Sequence, residues 1–205
     1  MIELELKYQL NPALSAQLQE QLQQMNFTGA IENYDIYYDT PAFDLLQQAV
    51  FVRVRNEREL QFKYNEAADR THTQSIERSF SLVPELDSVS SMNASFAHFL
   101  PHWHSADTFT EVIKRNKLIE LASIRNKRKI YTQDNIIVSV DEVEELGSFL
   151  EVEAQSEEGI DTTSSLAILR AFAARFQLQP VRIGYVELWL RTHNPEAYRL
   201  GKYQQ

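Results

Sequence analysis

Apolar and charged residues alternate at a period of two over much of the chain, and this alternation predicts strands. In 2–8, Ile2, Leu4 and Leu6 share one face, and Glu3, Glu5 and Lys7 share the other. In 50–56, Val50, Val52 and Val54 oppose Phe51, Arg53 and Arg55; in 60–64, Leu60, Phe62 and Tyr64 oppose Gln61 and Lys63. In 136–141, Ile136, Val138 and Val140 oppose Ile137, Ser139 and Asp141. In 149–153, Leu150 and Val152 oppose Phe149, Glu151 and Glu153. Helical spacing occurs three times. Asn11-Pro12 reads as a cap followed by a first-turn proline, and Leu14, Leu18, Leu22 and Met25 then recur at spacings of four and three. A second helix is predicted over about 91–100, with Phe96, Phe99 and Leu100 apolar. A third is predicted over 162–176, with Leu166, Leu169, Ala173 and Phe176 on one face.

An antiparallel sheet with one face on a core and the other in water gives the same alternation. A solvated face usually mixes in Thr, Ser, Asn and Gln, whereas here the polar faces are almost wholly charged. If the sheet closes into a barrel, the charged faces line one lumen and the apolar faces pack under the helices. Enclosed charges are costly unless they are paired or bind a metal and a polyanion.

Composition narrows the classes. The chain is 43% apolar and 24% charged, as in a soluble globular protein, and 205 residues can bury a core without staples. The absence of cysteine excludes disulfides, thiolate metal sites and a cysteine nucleophile. No apolar run reaches the length of a transmembrane helix, and the N-terminus lacks the basic-then-apolar pattern of a secretory signal. The expected location is the cytoplasm, with no membrane partner. Only five glycines are spread along the chain and no linker stands out, so 1–205 reads as one domain, with its most loop-like stretch at 65–75. A formal charge of −9 argues against nucleic-acid binding. The charge is uneven: 114–129 holds seven bases and one acid, and 141–158 holds eight acids and no base.

Glu3-x-Glu5-x-Lys7 puts two carboxylates and an ammonium on one strand face, with alternate residues about 7 Å apart. Carboxylate pairs suit hard cations such as Mg²⁺ or Mn²⁺, and Glu151-x-Glu153 repeats the pattern with Asp141 nearby in sequence. Arg53, Arg55 and Lys63 suit phosphate, and Arg128 and Arg182 could join them. Each piece alone is what a solvated strand also shows. Together they fit a metal–polyphosphate complex.

In this combination and order the sequence resembles the CYTH domain family, the triphosphate tunnel metalloenzymes. The E-x-E-x-K hallmark stands as Glu3 to Lys7, and Tyr37-Tyr38-Asp39-Thr40-Pro41 matches a strand end. Phe51 to Arg55, Lys63, Glu77, and the basic strand Ile124 to Tyr131 follow. Asp141-Glu142-Val143 to Glu153 and Gly184-Tyr185-Val186-Glu187-Leu188 complete the series. The resemblance implies an α+β fold, mostly antiparallel β: a closed eight-stranded tunnel barrel with helices outside. It implies that Glu3, Glu5, Glu151 and Glu153, with help from Asp141, hold Mg²⁺ or Mn²⁺. It implies that Lys7, Arg53, Arg55, Lys63, Arg128 and Arg182 hold phosphates, and that Glu77 lies in the tunnel. Glu5, Glu153, Lys7 and Glu77 are then the catalytic candidates.

Three positions depart from the family pattern: Asn126 where Lys is frequent, Ser75 where Arg is common, and Gly184 in place of serine. The expected activity is metal-dependent hydrolysis of inorganic tripolyphosphate or an organic triphosphate such as thiamine triphosphate, by a monomer or homodimer. The alternatives are a class IV adenylate cyclase and a non-catalytic module that binds polyphosphate or nucleotide. His98, His102 and His104 read as surface histidines at a helix end and loop. Trp189 and the tail from Tyr198 to Tyr203 read as packing or surface residues.

Overall fold

The structure, a computed structural model, describes residues 2–11, 16–65, 74–82, 86–156 and 163–203. Among these, β1 (Ile2–Leu10) leads through α1 (Ala16–Gln24) to β2 (Asn26–Asp39), α2 (Asp44–Gln47), β3 (Val50–Arg55), β4 (Glu59–Tyr64) and β5 (Gln74–Ser81). Two helices, α3 (Leu86–Phe99) and α4 (Phe109–Asn116), precede β6 (Ile119–Gln133), β7 (Ile136–Val143) and β8 (Gly147–Ser156). The chain ends in α5 (Thr163–Ala174), β9 (Gln179–Val181), α6 (Tyr185–His193) and α7 (Pro195–Leu200).

The strands pair in the order β5-β4-β3-β2-β6-β7-β8-β1, and β1 pairs with β5, so eight antiparallel strands form a hydrogen-bonded ring. Closure removes the open edges that a sheet would otherwise present. The closing seam is short: Ile2, Glu3 and Leu4 face Ile76, Ser75 and Gln74. Further along the same side of β1, β9 takes over and pairs with Lys7, Tyr8 and Gln9.

The five strands predicted from alternation all form, within a residue or two of their expected ends except where β8 runs on to Ser156. Their apolar faces pack outward. Leu4, Leu10, Val138, Leu150 and Val152 meet Leu18 and Leu22 of α1 and Leu169 and Phe172 of α5. Val50, Val52, Val54, Leu60 and Phe62 meet Met92 and Phe96 of α3 and Val112 of α4. Phe51 and Phe149 are the apolar members of otherwise charged faces. They join Tyr37, Ile124, Ile183 and Val186 in a third cluster with α6 and α7, an apolar stopper at one end of the ring.

Several boundaries differ from expectation. Of the predicted first helix, 12–15 lie outside the described residues, and Leu18, Leu22 and Met25 are buried as the spacing required. The second starts at Leu86 rather than 91, because Ser88, Ser90 and Ser91 disguise its first turns while Met92, Phe96 and Leu100 carry the buried stripe. Gln74 and Ser75, placed in a loop by composition, begin β5; residues 66–73 lie outside the described set. Unpredicted helix α4 has a Thr108 cap whose Oγ1 accepts from the Glu111 amide at 3.3 Å. No helix among the described residues is long and apolar enough to cross a membrane.

Candidate active site

Period-two alternation on eight strands sends one side chain in two into the ring. The enclosed cavity has a volume of about 250 Å³. Among the described residues, seven acids (Glu3, Glu5, Asp35, Glu77, Glu151, Glu153, Glu187) and five bases (Lys7, Arg53, Arg55, Lys63, Arg128) line it. The lining is therefore acid-rich even before a polyanion enters.

The charges form a chain of contacts. Lys63 Nζ lies 3.2 Å from Glu3 Oε2 and 3.0 Å from Glu5 Oε2. Lys7 Nζ lies 3.1 Å from both Glu5 Oε1 and Glu151 Oε1. Arg128 donates to Glu151 and, through Nε at 2.7 Å and Nη2 at 2.6 Å, to both oxygens of Asp141. The Tyr185 hydroxyl donates to Asp141 Oδ2 at 2.7 Å. On the β2–β3 side, Asp35 accepts a forked pair from Arg55, both at 2.8 Å, and a third bond from Arg53 Nη1 at 3.1 Å. Arg53 also donates to Gln61 at 2.8 Å and to the Tyr37 hydroxyl at 3.3 Å, and its Nη2 is 3.7 Å from Glu77.

These contacts set the protonation states. Burial alone would raise the Glu5 carboxyl, but Lys63 and Lys7 outweigh it and hold Glu5 well below the usual carboxylate range. Burial opposes the charge on Lys7, yet Glu5 and Glu151 keep its ammonium firmly protonated. Asp35 is lowered in the same way: Arg53 and Arg55 overcome its burial. Asp141 is raised, by burial and then by Glu151, and Glu153 is raised too. Burial, then the like charges of Glu151 and Glu5, push it up to about 7. It stands directly opposite Glu5 across β1 and β8, and no ion-pair partner lies within reach among the described residues.

Two carboxylates facing each other on adjacent strands repel. A divalent cation with oxygen ligands relieves that repulsion. Glu3, Glu5, Glu151 and Glu153 are all oxygen donors, the ligand type that Mg²⁺ or Mn²⁺ takes, but among the described residues no three acidic or histidine side chains come together as a metal-holding group.

A model of the CYTH domain matches residues 1–182. The chain belongs to the CYTH domain family. Comparison with curated proteins finds no match. Among solved structures, this CYTH chain is similar to the PH1819 protein from Pyrococcus horikoshii OT3, at 21% identity and a TM-score of 0.69, over 93% of this chain and 99% of that one. It is similar to a candidate adenylate cyclase from Vibrio parahaemolyticus, at 18% identity and 0.62, over 92% and 98%. A candidate adenylyl cyclase from Hippeastrum, described as having a dominant triphosphatase activity, gives 19% and 0.57, over 92% and 93%. At these identities the likeness speaks for the fold.

Most of the residues expected in the CYTH tunnel line the one cavity: Glu3, Glu5, Lys7, Arg53, Arg55, Lys63, Glu77, Arg128, Glu151 and Glu153. Two are placed otherwise. Asp141 is fully buried behind the wall, engaged by Arg128 and Tyr185. Arg182 is exposed just past β9 and is not among the lining residues. Asn126 lines the cavity and is buried, and Ser75 is buried opposite Glu3. His98, His102 and His104 are exposed, and Trp103 stacks on Phe96 with ring centres 4.2 Å apart.

Asp35, Tyr37 and Tyr185 were not singled out as site residues from the sequence. Asp35 and Tyr37 carried a weak signal, since Asn33, Asp35 and Tyr37 alternate along β2 and all turn out buried. Tyr185 carried none beyond its place in the family-like segment, because it reaches the cavity from the first turn of a helix rather than from a strand.

Proposed function

We propose that this CYTH protein hydrolyses a phosphoanhydride bond of a triphosphate with the help of a divalent metal. The observation that supports it most is one cavity with arginines on the β2–β3 side and a surplus of carboxylates on the β1–β8 side. A triphosphate entering alone would meet an acid-rich lining. Mg²⁺ or Mn²⁺, held by Glu3, Glu5, Glu151 and Glu153, would neutralise phosphate oxygens and acidify a water.

The protein's own groups do the rest. Arg53 and Arg55 present guanidinium edges set by Asp35, and Arg128 presents one set by Asp141. Lys7 and Lys63 add point charges that shift from carboxylates to phosphate oxygens as the anion arrives. Glu77, beside Arg53, is placed to orient a water or that arginine. In-line attack of water on the terminal phosphorus breaks the P–O anhydride bond and gives orthophosphate and a diphosphate. The triphosphatase activity described for the Hippeastrum neighbour is consistent with this reading.

The test is turnover by purified protein with Mg²⁺ or Mn²⁺, offered tripolyphosphate, thiamine triphosphate and ATP separately. Orthophosphate release is the expected result, and its absence from all three overturns the proposal. Cyclic AMP with diphosphate from ATP would make the protein a cyclase using the same cavity. Thermal stabilisation by metal and triphosphate without turnover would make it a binding module.

A further inference from the structure

The family match ends at residue 182, yet α6 beyond it sends Tyr185 into the cavity wall. Tyr185 lies between two of the cations assigned to phosphate. Its ring centre is 4.1 Å from Lys7 Nζ, and its hydroxyl donates at 2.7 Å to the Asp141 oxygen that also holds Arg128 Nη2. A ring face attracts an ammonium without neutralising it. The nearby carboxylates Glu5 and Glu151 instead compete with phosphate for Lys7. The hydroxyl completes the bonding of Asp141, which is fully buried and would be costly to leave short of donors.

The position of Tyr185 is fixed from behind. Ile183, Val186, Leu188 and Leu190 are buried in the apolar stopper, and Phe149 packs on the Tyr185 ring at 5.0 Å. The helix begins tightly at Gly184, where a β-carbon would sit 2.6 Å from Glu187 Oε2. Burial, with Glu151 and Asp141 nearby, raises the phenol well above its usual range.

We infer that Tyr185 is a positioning residue: from the first turn of α6 it holds Lys7 by its ring and Arg128, through Asp141, by its hydroxyl, in register for one phosphate chain. This inference rests on the triphosphate reading above. The hydroxyl and the ring can be removed separately. Tyr185→Phe is expected to raise the KM for tripolyphosphate with Mn²⁺ about threefold, and Tyr185→Leu about tenfold, with kcat changed less than threefold.

The difference between the two variants is expected to vanish in a Lys7→Ala background, because the ring then has no ammonium to hold. A difference of the same size in that background overturns the inference. So does an unchanged KM in Tyr185→Leu accompanied only by a lower melting temperature. If the wild-type protein neither binds nor turns over Mn²⁺–tripolyphosphate, the functional reading fails instead. The Lys7–Tyr185 cycle is then read from urea unfolding midpoints, where coupled shifts support the positioning contact and additive shifts overturn it.

Discussion

The β2–β3 wall and the β1–β8 wall of the cavity are built from the same kinds of residues but balance their charges differently. On β2–β3, one buried carboxylate, Asp35, accepts from two guanidiniums and holds them in fixed orientation, and Glu77 meets Arg53 only at 3.7 Å. On β1–β8, Glu5 and Glu151 share Lys7, and Glu153 is left facing Glu5 with no base within reach among the described residues. Phosphate and metal preferences come from what remains after internal pairing, not from the residue types alone. Asp141 reads as helping to hold a metal in the sequence. In the structure its oxygens aim Arg128, and those of Asp35 aim Arg53 and Arg55.

The sharpest way to break this comparison is to remove the surplus carboxylate. Glu153→Gln should cost on the order of 100-fold in turnover and blunt the Mn²⁺ dependence; near wild-type rates would sink the metal assignment. Next comes removal of an aiming carboxylate. Asp141→Ala leaves Arg128 with Glu151 alone and the Tyr185 hydroxyl without its acceptor, and should lower unfolding free energy by about 2 kcal/mol, read from urea denaturation. A loss under about 1 kcal/mol would show that Asp141 is not holding the arginine. On the opposite wall, Arg55→Ala should raise KM roughly tenfold with circular dichroism unchanged. An unaltered KM would take Arg55 out of the phosphate site.

A smaller effect is in the pH dependence of metal-free stability. Glu153 titrates near 7 in the folded chain, against about 4.3 when unfolded. The folded state therefore holds a proton in that window that the unfolded state has released. Its stabilising contribution is complete below the unfolded value and is lost as pH rises through about 7. Glu153→Gln should flatten this fall, which melting temperatures from pH 4.5 to 7.5 would reveal. Asp39, raised by burial to about 6 while accepting from the Thr40, Leu45 and Leu46 amides, adds a slope of the same sign that remains in the variant. The smallest expected change is His102→Ala, an exposed position far from the wall. Activity and stability should stay within about 0.5 kcal/mol of wild type, and a loss of metal response would revive the histidine cluster as a site.

Much of the cavity was legible because strand alternation is a local property. Once Leu4 and Leu6 are packed outward, Glu3, Glu5 and Lys7 must face inward, whatever the rest of the chain does. The long ribbon of β2 and β6 was less legible. Apolar residues stay exposed on both of its faces, Phe27 on the outer one and Ile31 on the side of Asn33 and Asp35, so the apolar–charged contrast fades. Helix α6 was hidden for another reason: its residues serve the stopper and the cavity wall at once.

By itself the sequence determined which residues share a face and that those faces were too densely charged for a merely solvated sheet. It also carried the family-like order of motifs from Glu3 to Glu187. Which carboxylates face a cation and which stand free was decided only by the tertiary structure. Pairing depends on the register between strands far apart in the chain: Glu5 against Glu153, Arg128 against Asp141, Asp35 against Arg55. No local pattern encodes a register that is fixed by ring closure and by the packing of three separate apolar clusters.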